Sequence, residues 1–183
     1  PPGLTIPNFI TPGRQLMPDI PHGSGASSYA SAMFKLTLSW DDFEWVCNTV
    51  SLPGLVKGGV RADDAREAVK RGAAGVIVSN HGGRQLDAAP ATIDALPRVA
   101  QALGGRVPVV VDGGIRRGTD VVNELALGAS AVGIGRPVLW GLAVAGEEGV
   151  AQILSLLREE LELAMRLAGA GNLDGITQDL LEA

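Results

Sequence analysis

Four short apolar runs, each followed by Gly-rich or polar residues and then by a segment of helical periodicity, constrain this chain's fold more than any other feature. They lie near residues 54–57, 75–79, 107–112 and 131–135. Gly75-Val76-Ile77-Val78-Ser79 reads as a buried strand, and 107–112 is mostly Val. Residues 63–72 are amphipathic and end in Gly, a common helix stop. Residues 92–103 and 119–128 read as further helices, and 149–168 as a long last one. Before the first run, Ser39 can cap a helix over 40–46, whose first turn holds Asp41 and Asp42, where the helix dipole favours acids. Strand–helix alternation predicts right-handed βαβ units and a parallel sheet. In such folds the chemistry sits where the strands end.

Composition agrees. Of 183 residues, 46% are hydrophobic and 19% charged, which suits one globular domain. Ala, Val, Leu and Gly carry the apolar content, as expected of buried parallel strands covered by helices. A net charge of −5 argues against nucleic acid as a partner. It leaves room for one bound phosphate held by local arginines. The single cysteine, Cys47, permits no disulfide within the chain and fits a reducing, cytoplasmic setting, with Cys47 a packed thiol. No apolar run reaches transmembrane length and no signal peptide is visible, so no membrane partner is expected. Pro1-Pro2 without Met suggests processing, a boundary or a missing upstream portion. Residues 1–38 hold six prolines and a Gly/Ser cluster at 23–28. They read as a long loop or lid, partly disordered, with His22 a structural residue. The body is 39–183.

Two sheet topologies fit. A doubly wound sheet calls for G-x-G-x-x-G after its first strand, and none follows Leu55-Val56. A barrel calls for phosphate-binding loops after its last two strands. Here those loops are Asp112-Gly113-Gly114-Ile115-Arg116-Arg117-Gly118 and Gly133-Ile134-Gly135-Arg136, each Gly-rich and each with arginine. Exposed backbone N–H groups and bidentate guanidinium groups make a phosphate cradle. The α/β reading is therefore half of a (β/α)8 barrel.

The most informative stretch is Ser79-Asn80-His81-Gly82-Gly83-Arg84-Gln85-Leu86-Asp87. A histidine just past a strand end, three residues before an arginine, can act as a general base beside a carboxylate clamp. This stretch resembles the signature of the FMN-dependent α-hydroxy acid oxidases and dehydrogenases. Pro90-Ala91-Thr92-Ile93-Asp94-Ala95-Leu96-Pro97, the Asp112 to Asp120 loop, Leu125-Ala126-Leu127-Gly128-Ala129 and Gly135-Arg136-Pro137 match that family in order and spacing. The resemblance implies the C-terminal half of a TIM barrel, strands five to eight with their helices, with 1–38 as the loop after strand four. It implies FMN as cofactor and a small 2-hydroxy acid, such as lactate, glycolate or mandelate, as substrate. His81 would take the substrate proton, and Arg84 would bind the substrate carboxylate. Lys57 would sit at the flavin N1–O2 edge and Ser79 against the ring. Asp112, Gly113, Gly114, Ile115 and Arg116 would line the ribityl and phosphate region, which Gly135 and Arg136 would complete. Asp112 could instead cap the following turn, Asp94 reads as a helix cap, and Trp40 and Trp45 are expected to pack.

The family's other half would supply the remaining strands, a tyrosine pair, a second arginine and the aspartate that orients the histidine. Four strands cannot close a barrel. The chain is thus expected to need an N-terminal half, and to be a homo-oligomer when complete. The alternative is a catalytically incomplete half-barrel that binds FMN, phosphate or a partner half without turnover.

Overall fold

The computed structural model describes residues 37–181 and the backbone of Ile10, Thr11, Arg14 and Gln15. The chain divides into two units, Pro1–Ser39 and Trp40–Ala183. In the first, Ile10–Thr11 pairs antiparallel with Arg14–Gln15. The expected lid at 1–38, with His22, otherwise lies outside the described residues.

The second unit alternates as the apolar runs require. Helix α1 (Trp40–Thr49) precedes β1 (Leu55–Lys57), α2 (Ala62–Lys70), β2 (Gly75–Val78) and α3 (Thr92–Leu103). Then come β3 (Val109–Asp112), α4 (Gly118–Ala126), β4 (Ala131–Gly133) and α5 (Arg136–Leu167). The four strands form one parallel sheet in chain order, with Val56 opposite Val76, Val76 opposite Val109 and Val110 opposite Ala131. Strand β3 starts two residues later than the Val run suggests. Pro108 has no N–H for the ladder, although its carbonyl accepts from the Val76 amide at 3.1 Å.

Val76, Val78 and Val111 point to the helix layer and are fully buried against Ala65 of α2 and Ala95, Leu96, Val99 and Leu103 of α3. Each such side chain contributes about 1.5–3 kcal/mol. The opposite face departs from the expected fully buried strands. Ile77 and Val110, one residue out of phase, are only half-buried. That face would look into a barrel, and these four strands cover it from one side only. A second cluster, Val122, Ala126, Ala170 and Ile176, joins α4 to the C-terminal segment.

Two helices differ from expectation. The last begins at Arg136, not near 149, because Pro137 in its first turn fixes a helical φ. The stretch 136–148 is too evenly apolar and glycine-bearing to show helical periodicity. The helix breaks at Ala145 and Gly146, and its two arms touch at Gly141 and Gly149. A Cβ on Gly141 would lie 2.4 Å from the Gly149 oxygen. Helix α1 buries no residue. Trp40 meets Phe43 edge-on at 6.0 Å, but Trp45 is 64% exposed. The expectation that both pack fails for Trp45, because nothing among the described residues covers that side of α1. Arg71 holds α1 instead, reaching Asp41 at 2.6 Å, Glu44 at 3.1 Å and, on its own helix, Glu67 at 2.7 Å. These carboxylates hold the Arg71 pKa above its ordinary range, Glu67 contributing most. Cys47, half-buried, sits where a Cβ on Gly54 would come within 3.4 Å of its sulfur.

Candidate active site

The C-terminal ends of all four strands meet at one cavity of about 320 Å³. Ten of the eleven residues singled out in the sequence line it: Lys57, His81, Arg84, Asp112, Gly113, Gly114, Ile115, Arg116, Gly135 and Arg136. Ser79 is the exception. It opens onto an adjoining cavity with Lys57, His81 and Leu86.

Each position follows from its element. Lys57 ends β1 and Asp112 ends β3. Both lie at the mouth, and the Lys57 ammonium bonds to the Asp112 carboxylate. Lys57 also donates to the Ser79 hydroxyl at 2.7 Å. So Asp112 neither caps its own turn nor stands alone; it fixes the lysine. Ser79, just past β2, is 4% exposed. Its oxygen accepts a second bond, from the His81 amide at 3.0 Å. That bond belongs to a tight 3₁₀ turn, His81–Gly83, in which His81 has φ 56. Left-handed backbone is uncommon for a residue with a Cβ and clusters at functional sites. Arg84 ends this turn and lines the same cavity.

The third wall is the loop after β3. Gly113 and Gly114 have φ 103 and 86, which other residues adopt only with strain. Ile115 is buried, so it contributes backbone and an anchor. Asp120 accepts from the amides of Arg116 and Arg117 at 2.8 and 2.9 Å and so shapes the loop. The Arg116 guanidinium lies 5.8 Å from the centre of the Trp140 ring, within cation–π range. Gly135 and Arg136 open α5 from the fourth wall. A Cβ at Gly114 or Gly135 would meet nothing within 4 Å. Backbone there can be approached closely from the cavity.

A phosphate-bearing, partly anionic cofactor fits these residues. Open glycine backbone and two arginines would meet a dianion, and Lys57 stands at the strand end beside them. Asp94 lies in the first turn of α3 but makes no cap bond. Sequence reasoning missed Trp140, because the first arm of α5 went unread, and Glu124, which reads as an ordinary polar helix position. Glu124 is 3% exposed, and burial, with help from Asp120, pushes its pKa up to about 7. Among the described residues no group of three or more His, Cys, Asp or Glu could hold a metal, and no helix is long and apolar enough to cross a membrane.

A parallel half-barrel with its cations, histidine and glycine turns gathered at the strand ends belongs to the α/β class whose strand-end loops suit a phosphate group. The family model for FMN-dependent dehydrogenase matches residues 6–183, and the chain belongs to that family. It is 50% identical over 183 residues to 2-hydroxyacid oxidase 1 of Mus musculus, covering 99% of this chain and 50% of the relative. It is 54% identical over 178 residues to glycolate oxidase 1 of Oryza sativa subsp. indica, covering 97% and 48%. Among solved structures, mandelate oxidase with (S)-4-hydroxymandelic acid superposes with a TM-score of 0.81 at 46% identity, covering 84% of this chain and 43% of that one. The chain spans about half the length of the curated relatives it matches. Its four strands are the C-terminal half of a (β/α)8 barrel.

Proposed function

We propose that this chain holds FMN and, once an N-terminal half completes the barrel, oxidises a small 2-hydroxy acid to the 2-oxo acid. The observation that carries the reading is the convergence of Lys57, His81, Arg84, Arg116 and Arg136 on one cavity at the strand ends. Arg116, Arg136 and the backbone of Gly113, Gly114 and Gly135 would hold the phosphate. Lys57, fixed by Asp112 and Ser79, would place its charge at the N1–O2 edge of the ring. When bound, FMN supplies the two-electron acceptor, later reoxidised by oxygen or another acceptor. Arg84 would bind the substrate carboxylate, and His81 would accept the proton released as the alcohol carbon is oxidised. A homo-oligomer of the completed protein, in the cytoplasm, belongs to the same reading, as does a lid over the site from residues 1–38.

A second reading, favoured by the half-length match, is a half-barrel that binds FMN without turnover. One experiment separates them. FMN is added to the chain, alone and with a polypeptide supplying the first half, and the visible spectrum is followed as lactate, glycolate or mandelate is added. Bleaching in the completed protein supports the enzyme, and bound flavin that never bleaches supports the second reading. Absence of bound flavin in both samples rejects each. Arg136→Gln is expected to weaken FMN binding about tenfold or more, the loss of one charge-assisted contact, as read by flavin fluorescence.

A further inference from the structure

We propose that Glu124 and the bound phosphate compete for the Arg136 guanidinium across the Gly113-Gly114 turn, so that Glu124 sets how tightly the phosphate is held. The inference rests on the FMN phosphate site proposed above and adds a positioning residue to it. Glu124 stands on α4 one turn beyond Asp120, and its Oε2 is buried with no hydrogen-bond partner among the described residues. Such an oxygen is costly unless some donor reaches it. Glu124 lines a second cavity, of about 390 Å³, behind the glycine turn. Arg136 lines both cavities and is the one charged side chain they share.

The other polar groups around Glu124 are already engaged. Asp120 takes the amides of Arg116 and Arg117. Asn80 donates to the Pro90 carbonyl at 3.1 Å, and Thr92 to that of Gly113 at 3.5 Å. Arg136 is exposed, and its side chain makes no ion pair among the described residues, so it is the charged group in that cavity with donors to spare.

The charged groups lining Glu124's cavity are Asp120, from its own helix, and Arg136. On α5, Glu160 is held at the start of α4 by the Gly118 amide. With Glu124 titrating near 7, the contest is decided at neutral pH. The protonated carboxyl leaves Arg136 to the phosphate. The ionised one, buried and unpaired, draws it away. By linkage, phosphate binding must raise the Glu124 pKa.

The test is FMN titration of the full chain at pH 5.5 and pH 8, for wild type, Glu124→Gln, Arg136→Gln and the double variant. The ligand phosphate's own titration cancels in the ratio of wild-type to Glu124→Gln Kd. That ratio is expected near one at pH 5.5. At pH 8, one unit above the Glu124 pKa of about 7, it should rise several-fold, towards a ceiling of about tenfold when phosphate raises that pKa by two units or more. In the Arg136→Gln background the gain should vanish. A ratio that does not change with pH, or a gain that persists without Arg136, overturns the inference while leaving the phosphate site intact. Wild type that binds no FMN at either pH overturns the phosphate site and this inference with it. Should Glu124→Gln not fold, ¹³C NMR of the Glu124 carboxyl gives the same answer: its pKa rises on FMN binding, and an unchanged value refutes the competition.

Discussion

The Ser79 hydroxyl accepts from both Lys57 and the His81 amide, so a single buried oxygen holds the lysine and the left-handed turn that carries the histidine. Ser79→Ala would leave two donors short. It is expected to cost about 1–3 kcal/mol in urea unfolding and to loosen the His81–Gly83 turn, seen as faster exchange of the His81 amide. Glu124 has the opposite character. Its folded pKa of about 7 exceeds its ordinary 4.5, so the native state binds the extra proton between those values. Stability on this account is fully present below pH 4.5 and falls as pH rises towards 7, by about 3 kcal/mol in total. Glu124→Gln should therefore be the more stable protein at pH 8 and close to wild type at pH 4, in urea unfolding at each pH. His81, Arg84, Arg116 and Arg136 were legible in the sequence because glycines beside strand ends mark a mouth. Glu124 was not, since burial of one helical carboxylate depends on what packs over it.

Helices owe their places here to close approach and to charge, and sequence periodicity reports neither. At Gly118 an added Cβ would lie 2.0 Å from the Leu161 nitrogen, so α4 and α5 touch backbone to backbone. Gly118→Ala is expected to destabilise by about 3 kcal/mol, the upper range for overpacking, read as a lowered urea midpoint. Helix α1 is the reverse case, with no buried residue and a tether through Arg71. Arg71→Ala should leave global unfolding nearly unchanged yet open the chain to proteolysis around α1 and the turn to β1. The strands and α2 to α4 were readable because their apolar spacing is regular and each helix ends near Gly or a strand. The first arm of α5 was not, because 136–148 is apolar on every side and breaks at Ala145-Gly146.

Among the described residues, the central strands are buried on their helix side while β1 and β4 each pair with one neighbour only. The outward strand β1 leaves Leu55 45% exposed. This incompleteness was legible in the sequence only through the count of four strand runs, since each βαβ unit is locally well formed and closure is a property of that count. Supplying the first half is expected to bury Leu55, Ile77 and Val110 and to protect the β1 and β4 amides, as hydrogen exchange would measure. The strict β1-β2-β3-β4 order has a consequence in time. Every ladder of the parallel sheet joins strands that are neighbours in the chain, so each closes over a single crossover and none waits on a more distant strand. Both loops proposed to hold the phosphate are therefore complete as soon as β4 docks. In pulse-labelling during refolding, the amides of β3 and β4 should gain protection whether or not the other half of the barrel is present. The proposed grip on the cofactor is the part of the site that this polypeptide would build before it meets anything else.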